Sequence, residues 1–255
     1  MLRRVPIRAV VFDLFDTLVD LRFEDLPRHE HNGKRLPASV VELQKELARH
    51  ADVSLDALIE AMLEGNRAFD ESHFAHDREV PTELRFTDTL ARLGVDAPGL
   101  ARRLTDIHMG VLASAVRSLP HHEDVLGRLR GRVRLGLCSN FSHSDTARRV
   151  LESARLWPVF DAVLVSDAFG LRKPRREIFE AVLEQLGVPP GETLHVGDSL
   201  RADVGGARAA GLRTAWITRR IADPEKALRE HQGPLPDHAL ADLAELPALL
   251  ESLAA

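Results

Sequence analysis

Short apolar segments alternate with helical patterns in this sequence, and the alternation constrains the fold more than any other feature. Such segments are typical of strands buried on both faces of a sheet. They lie at residues 9–12, 133–138, 162–165, 193–196 and 214–217, with a short edge strand expected at 238–240. Because strands that alternate with helices form right-handed crossovers, we predict an α/β fold with a doubly wound parallel sheet.

Residues 38–115 interrupt this alternation with four helical patterns and no strand signal. Pro37 opens the first helix, and Ser54 has the position of an N-cap for the second. Residues 20–37 have mixed composition and are expected to form a loop. We therefore predict two domains, a core at residues 1–19 and 116–255 and an all-helical insert at residues 20–115.

Polar side chains occur where several of the predicted strands end. The carboxyl ends of parallel strands meet at one edge of the sheet, and open α/β sheets bind ligands there. The residues are Asp13 and Asp16 after the first strand, Ser139 and Asn140 after the second, Lys173 in the loop after the third, and Asp198 after the fourth. The sequence therefore predicts that residues far apart in the chain converge on one site.

These residue types suit phosphoryl transfer. One carboxylate can attack phosphorus and form an aspartyl-phosphate, while a second protonates the leaving oxygen and then activates water. Clustered carboxylates repel one another, and their oxygens are the ligands that Mg²⁺ prefers. A serine hydroxyl and a lysine ammonium can hold the phosphate. We therefore expect Mg²⁺ as the cofactor and a small phosphorylated metabolite as the substrate.

Composition argues against several other classes of function. The net charge of −5 provides no basic footprint for nucleic acid. There is no apolar run of membrane-spanning length and no signal-peptide pattern. The single cysteine, Cys138, cannot form an internal disulfide, so a reducing, cytoplasmic setting is expected. We expect no nucleic-acid or membrane partner, and a monomer or homodimer.

Four short motifs resemble those of the haloacid dehalogenase (HAD) superfamily, in its group of Mg²⁺-dependent phosphatases with a helical cap inserted after the first motif. The motifs are Asp13-Leu14-Phe15-Asp16-Thr17, Ser139-Asn140, Lys173-Pro174, and Gly197-Asp198-Ser199 with Asp203. They span most of the predicted core domain. The resemblance implies a Rossmann-like core, a cap that closes over it, and hydrolysis of phosphate monoesters through an aspartyl-phosphate.

The resemblance also implies a role for each acidic residue of the motifs. Asp13 is expected to be the nucleophile and a metal ligand. Asp16 is expected to be the general acid/base and to lend its backbone carbonyl to the metal. Asp198 is expected to be a metal ligand, and Asp203 a ligand through water or a support behind the ligands.

The remaining motif residues are expected to hold the phosphate. The resemblance implies this role for Ser139 and for Lys173, which we count among the catalytic residues. Asn140 and Thr17 are further substrate-binding candidates, although turn formation explains Asn140 equally well.

Asp16 distinguishes between the related activities. The dehalogenases of the superfamily have no acid at this position, because halide needs no proton to leave, so Asp16 favours phosphate esters. Three alternatives stay open: a 2-haloacid dehalogenase, a phosphomutase, and a non-enzymatic protein that binds a phosphate ligand. We expect Cys138 and His195 to be packed inside buried strands, and His108 to be a core histidine of the insert.

Overall fold

The computed structural model describes residues 6–254 of the chain. Two compact units are present, Met1–Asp20 with Arg117–Ala255, and Leu21–Val116. The strands are β1 (Ala9–Phe12), β2 (Val19–Leu21), β3 (Arg28–His31), β4 (Lys34–Pro37), β5 (Val116–Ser118), β6 (Arg134–Ser139), β7 (Ala162–Val165), β8 (Thr193–Gly197), β9 (Arg213–Ile217) and β10 (His238–Leu240). The α-helices are α1 (Ala38–Leu47), α2 (Leu55–Ser72), α3 (Thr82–Arg92), α4 (Leu100–Ser114), α5 (Pro120–Leu129), α6 (Ser144–Ser153), α7 (Ser166–Phe169), α8 (Arg176–Leu186), α9 (Gly206–Ala209), α10 (Pro224–Glu230) and α11 (Leu246–Ala254).

The first unit is built on a six-stranded sheet in the order β10-β9-β8-β1-β6-β7. Every neighbouring pair in it is parallel, which confirms the predicted α/β fold with a parallel sheet. β1 lies between β6 and β8. The chain therefore adds β6 and β7 on one side of β1, and it later adds β8, β9 and β10 on the other side. Ligand crevices of open α/β sheets lie at such a reversal of strand order.

The register of the sheet aligns the carboxyl ends of its central strands. Phe12, the last residue of β1, is opposite Leu137 of β6 and Val196 of β8. The Asp13 amide donates a hydrogen bond of 2.9 Å to the Val196 carbonyl, which extends this alignment by one residue. The residues that follow β1, β6 and β8 therefore lie at the same edge.

Helix α8 shows how the sheet is covered. Its buried residues, Ile178, Phe179, Val182, Leu183 and Leu186, follow helical spacing and form one apolar face. This face belongs to a core cluster that includes strand residues of β1, β6 and β7. Burial of each large side chain contributes about 1.5–3 kcal/mol. The packing fixes the start of α8 close to the edge where the polar residues gather.

The second unit contains α1 to α4, whose apolar faces share one core cluster. Its buried members are Val40, Leu43, Leu47, Leu58, Phe86, Leu90, Leu100 and Leu104. The Ser54 side chain accepts a 3.1 Å hydrogen bond from the Ala57 amide, which confirms the predicted N-cap of α2. The function of residues 20–115 as a cap stays a prediction.

The segment 20–37 is not the predicted loop, and the insert is not all-helical. β3 and β4 form an antiparallel hairpin in which His31 pairs with Lys34. Asn32 and Gly33 between them have φ angles of 49° and 72°, as a two-residue hairpin turn requires. The Asn-Gly pair was the sequence signal for this hairpin, and the scarcity of apolar residues around it concealed the strands.

Three helical segments of the first unit have ends that matter for the polar edge. α5 begins at Pro120, and α8 begins at Arg176. A π-helical turn, Leu200–Gly205, is followed by the single turn of α9. Within residues 6–254, none of the helices has the combination of length and hydropathy that a membrane span requires.

Candidate active site

Three of the predicted acidic residues meet at the carboxyl edge of the sheet. Asp13 follows β1, Asp198 follows β8, and Asp203 lies in the π-helical turn after β8. Their carboxylate oxygens lie within 4.8 Å of one another. Residues separated by up to 190 positions are thus brought together because β1 and β8 are adjacent and parallel.

Lys173 is the cation inside this cluster. Its ammonium Nζ lies 2.7 Å from Asp13 Oδ1 and 2.6 Å from Asp203 Oδ1, and it also donates to the Cys138 carbonyl at 2.6 Å. All three ammonium hydrogens therefore have acceptors, although the residue is only 2% exposed. Burial alone would lower the pKa of Lys173, but Asp13 and Asp203 outweigh this and hold the pKa above its usual value.

Asn140 fixes the loop that carries Lys173. Its side-chain amide donates to the Lys173 carbonyl at 2.9 Å, and its Oδ1 accepts from the Lys173 amide at 2.7 Å. These two bonds give Asn140 a positioning role. A contact between Asn140 and substrate stays a prediction. A ligand would have to compete with the Lys173 backbone for the side-chain amide of Asn140.

Asp203 is held from several sides, and His195 is the partner that the sequence analysis missed. His195 Nε2 lies 2.9 Å from Asp203 Oδ1, and the Ser199 amide donates to Oδ2 at 3.0 Å. Burial would raise the pKa of Asp203, but Lys173 and His195 together lower it below its usual range. His195 is buried in β8 as expected, yet it is not merely packed. The apolar run around His195 predicts a buried strand, but it does not indicate which side chain a buried histidine contacts.

Gly197 makes room for this arrangement. A Cβ atom at Gly197 would lie 2.3 Å from Asp203 Cγ, closer than any real contact. The glycine before Asp198 is therefore required by the approach of the Asp203 side chain. It allows β8 to end beside the turn that supplies Asp203.

Asp16 lies in a turn after β1 and has a positive φ of 59°. Arg220 Nε lies 3.0 Å from Asp16 Oδ1. Arg220 belongs to the loop after β9, and no sequence pattern singled it out. The pairing places a guanidinium beside the predicted general acid/base.

Two predicted phosphate-binding hydroxyls are buried without a hydrogen-bond partner. Ser139 and Thr17 are 1% and 0% exposed. Neither Ser139 Oγ nor Thr17 Oγ1 has an acceptor or donor within range. Because an unpaired buried hydroxyl is costly, both atoms are suited to a polar ligand.

The acidic cluster carries more negative charge than its lysine balances. Burial raises the pKa of Asp198 to about 8, and the charges of Asp13 and Asp203 add to this effect. Burial also raises the pKa of Asp13 to about 6, although Lys173 opposes the shift. A set of carboxylate oxygens with excess negative charge fits a divalent cation such as Mg²⁺. Asp13 and Asp198 suit direct ligation better than Asp203, whose two oxygens already accept three hydrogen bonds.

Comparison with known proteins agrees with this arrangement. Residues 7–211 match the sequence model of the haloacid dehalogenase-like hydrolases. The human protein named N-acylneuraminate-9-phosphatase is 28% identical over 253 residues, which cover 97% of this chain and 95% of that protein. The Escherichia coli protein named pyrimidine 5'-nucleotidase YjjG is 32% identical over 168 residues, which cover 65% of this chain and 69% of that protein.

Two solved structures illustrate the likeness of the fold. A magnesium-bound structure of the HAD-hydrolase YfnB from Bacillus subtilis is 24% identical, with a TM-score of 0.58 and coverage of 96% of this chain and 99% of that one. A 2-haloacid dehalogenase from Pseudomonas syringae is 22% identical, with a TM-score of 0.65 and the same coverage. The chain belongs to the haloacid dehalogenase-like hydrolase family, and its sequence relatives include proteins named as phosphatases and as a nucleotidase.

Proposed function

We propose that this protein hydrolyses small phosphate monoesters with the help of Mg²⁺, through an aspartyl-phosphate on Asp13. The observation that carries the proposal is the position of Asp13 at the switch point of the sheet, with Lys173 Nζ at 2.7 Å. A carboxylate nucleophile needs its attacking oxygen oriented and the negative charge of the phosphate offset. Lys173 supplies both effects from one buried atom.

The chain's own residues account for each bond change. An oxygen of Asp13 attacks phosphorus as the bond to the leaving oxygen breaks, and the Asp16 carboxylic acid gives its proton to that oxygen. The Asp16 carboxylate then removes a proton from water as the water attacks the phosphorus of phospho-Asp13. The Asp13 carboxylate and inorganic phosphate result. Mg²⁺ held by Asp13 and Asp198 would stabilise the charge that develops on the phosphoryl oxygens.

Ser139 and Thr17 are the proposed phosphate contacts. Their buried hydroxyl oxygens have no other hydrogen-bond partner, so a phosphoryl oxygen would satisfy them. Lys173 adds positive charge, and Asn140 holds its loop in place.

Asp16 also separates this proposal from dehalogenation. Departure of an alkoxide requires a proton, whereas departure of a halide does not. The presence of an acid at this turn and the names of the sequence relatives favour phosphate esters. The likeness to a 2-haloacid dehalogenase structure supports the fold alone at 22% identity. A specificity role for residues 20–115, a cytoplasmic location and a monomeric or homodimeric state are further proposals from the sequence.

The test is phosphate release from an aryl phosphate and a panel of metabolite monoesters, with and without Mg²⁺. We expect release that depends on Mg²⁺, is lost in Asp13→Asn, and is unchanged in Asp124→Asn, an exposed matched control. Asp16→Asn should lose most of its turnover while Mg²⁺ binding, followed by calorimetry, survives. Near-normal turnover in Asp16→Asn would refute its acid/base role. Halide release from a 2-haloacid, or an isomeric product without free phosphate, would instead identify a dehalogenase or a phosphomutase.

A further inference from the structure

A second group of potential metal ligands lies in the first unit, apart from the acidic cluster. His121 and His122 occupy the first turn of α5, and Asp242 precedes α11 as the cap of a short 3₁₀ turn. One ligand atom from each lies within 4.8 Å of the others. Nothing in the proposed phosphatase chemistry uses these three residues.

The orientation of His122 is fixed by a backbone contact. His122 is 0% exposed, and its Nδ1 lies 2.9 Å from the Leu18 carbonyl oxygen. Because a carbonyl only accepts, Nδ1 carries the proton, and in the neutral ring the lone pair is on Nε2. This is the arrangement found in metal-binding histidines, whose other nitrogen donates to a carbonyl or carboxylate.

The Nε2 atom of that ring lies close to the ligand atoms of the other two residues. His122 Nε2 is buried and has no hydrogen-bond partner. It lies 3.8 Å from Asp242 Oδ2, too far for a hydrogen bond. Two ligands that share a tetrahedral ion, each about 2.1 Å away, are separated by about 3.4 Å, so this spacing leaves room for an ion.

His121 completes the group from the solvent side. Its Nε2 lies 2.8 Å from Asp242 Oδ1, and its side chain is 45% exposed. The Ala244 amide also donates to Asp242 Oδ1 at 2.8 Å, which fixes the carboxylate. Only the exposed His121 ring would have to adjust, and the remaining coordination position would face water.

Arg219 is a cation close to this group, because its Nε lies 3.6 Å from Asp242 Oδ2. Its charge is offset by Asp20, which is buried and accepts a 3.0 Å hydrogen bond from Arg219 Nη1. Asp20 also lies 3.6 Å from Arg220 Nη1, and Arg220 pairs in turn with Asp16. With neutral imidazoles, the carboxylates of Asp242, Asp20 and Asp16 exceed the two guanidinium charges by one, so the site is net negative. The guanidinium therefore does not prevent a divalent cation from binding.

We propose that His121, His122 and Asp242 form a binding site for a divalent transition-metal ion of the Zn²⁺ type. Two imidazoles and one carboxylate suit such ions, whereas Mg²⁺ prefers an all-oxygen set. The bound ion would connect the start of α5 with the segment before α11. Through the His122–Leu18 hydrogen bond it would also brace the chain just after the turn that carries Asp16.

The test measures Zn²⁺ binding to the full chain by calorimetry, with excess Mg²⁺ present and in an Asp198→Asn background that weakens the acidic cluster. We expect one equivalent of Zn²⁺ that is lost in His121→Ala and in His122→Gln. His76→Ala, which changes an exposed histidine of the second unit, should keep it. Co²⁺ should give visible absorption bands typical of nitrogen ligation, and His121→Ala should remove them.

Undiminished Zn²⁺ binding in His121→Ala, or no bound equivalent in the Asp198→Asn background, would overturn the proposal. His121 is exposed, so its replacement should not disturb folding, and it decides the test even if His122→Gln fails to fold. The measurement does not involve phosphate release. Failure of this site and failure of the proposed function can therefore be distinguished.

Discussion

Replacing Lys173 by methionine would remove the charge of the buried ammonium while keeping a side chain of similar length. In the wild type this group contacts Asp13, Asp203 and the Cys138 carbonyl at 2.6–2.7 Å, and it is 2% exposed. The variant would leave two buried carboxylates facing each other without a counter-charge. Removal of one partner from a buried ion pair typically costs about 3–5 kcal/mol, and here one cation serves two anions.

The stability lost in Lys173→Met should depend on pH in a defined direction. Without the ammonium, the folded-state pKa values of Asp13 and Asp203 should lie above those of the unfolded chain. Between the unfolded and folded pKa values the folded state then binds more protons, so its stability falls as pH rises. The deficit should be largest near pH 8 and should shrink toward pH 5, where both carboxyl groups can protonate.

The assay is thermal unfolding followed by circular dichroism at pH 5 and pH 8. At about 2–4 °C per kcal/mol, the variant should unfold at least about 6 °C below the wild type at pH 8. Lys226→Met is the matched control, because the Lys226 ammonium is 3.9 Å from Glu230 on the surface and its side chain is 61% exposed. A Lys173→Met deficit under about 1 kcal/mol, or one that is equal at both pH values, would refute the assigned role of the buried ammonium.

Three further outcomes follow from the structure. Gly197→Ala should destabilise the protein by about 1–3 kcal/mol in urea unfolding, because its Cβ would meet Asp203 Cγ at 2.3 Å, whereas Gly191→Ala, with open space around it, should not. Arg220→Gln should change kcat by more than KM in an aryl phosphate assay, because it removes the 3.0 Å ion pair of Asp16, the candidate general acid. An unchanged kcat would contradict this. Burial lowers the pKa of His108 to about 4, so stability should fall as pH drops from 6.5 toward 4. His108→Phe should remove up to about 3 kcal/mol of this fall in the free energy of unfolding. An unchanged dependence of stability on pH would count against a buried neutral ring.

The sheet could be predicted because its strands are buried on both faces. β1 and β7 have the predicted bounds, β8 and β9 differ from them by one residue at one end, and β6 is shifted by one residue at both ends. A parallel strand buried on both faces needs a continuous apolar run, which is visible in the local sequence. The strand ends followed from the same pattern, and so did the expectation that Asp13 and Asp198 lie at one edge. The hairpin of β3 and β4 had only its Asn-Gly turn as a signal.

The contacts within the candidate site depended on tertiary structure. Lys173 and Asp13 are 160 residues apart, and the distance between them is set by the packing of α8 on the sheet. The pairing of His195 with Asp203 and that of Arg220 with Asp16 leave no periodic trace, because each side chain comes from a different element. The division is a general one. The local sequence pattern determined the strands, the helices and the carboxyl edge of the sheet. Only the tertiary structure decided which charged groups are in contact. Coulomb and hydrogen-bond energies depend on distances of a few ångströms, and these distances join residues that are remote in sequence.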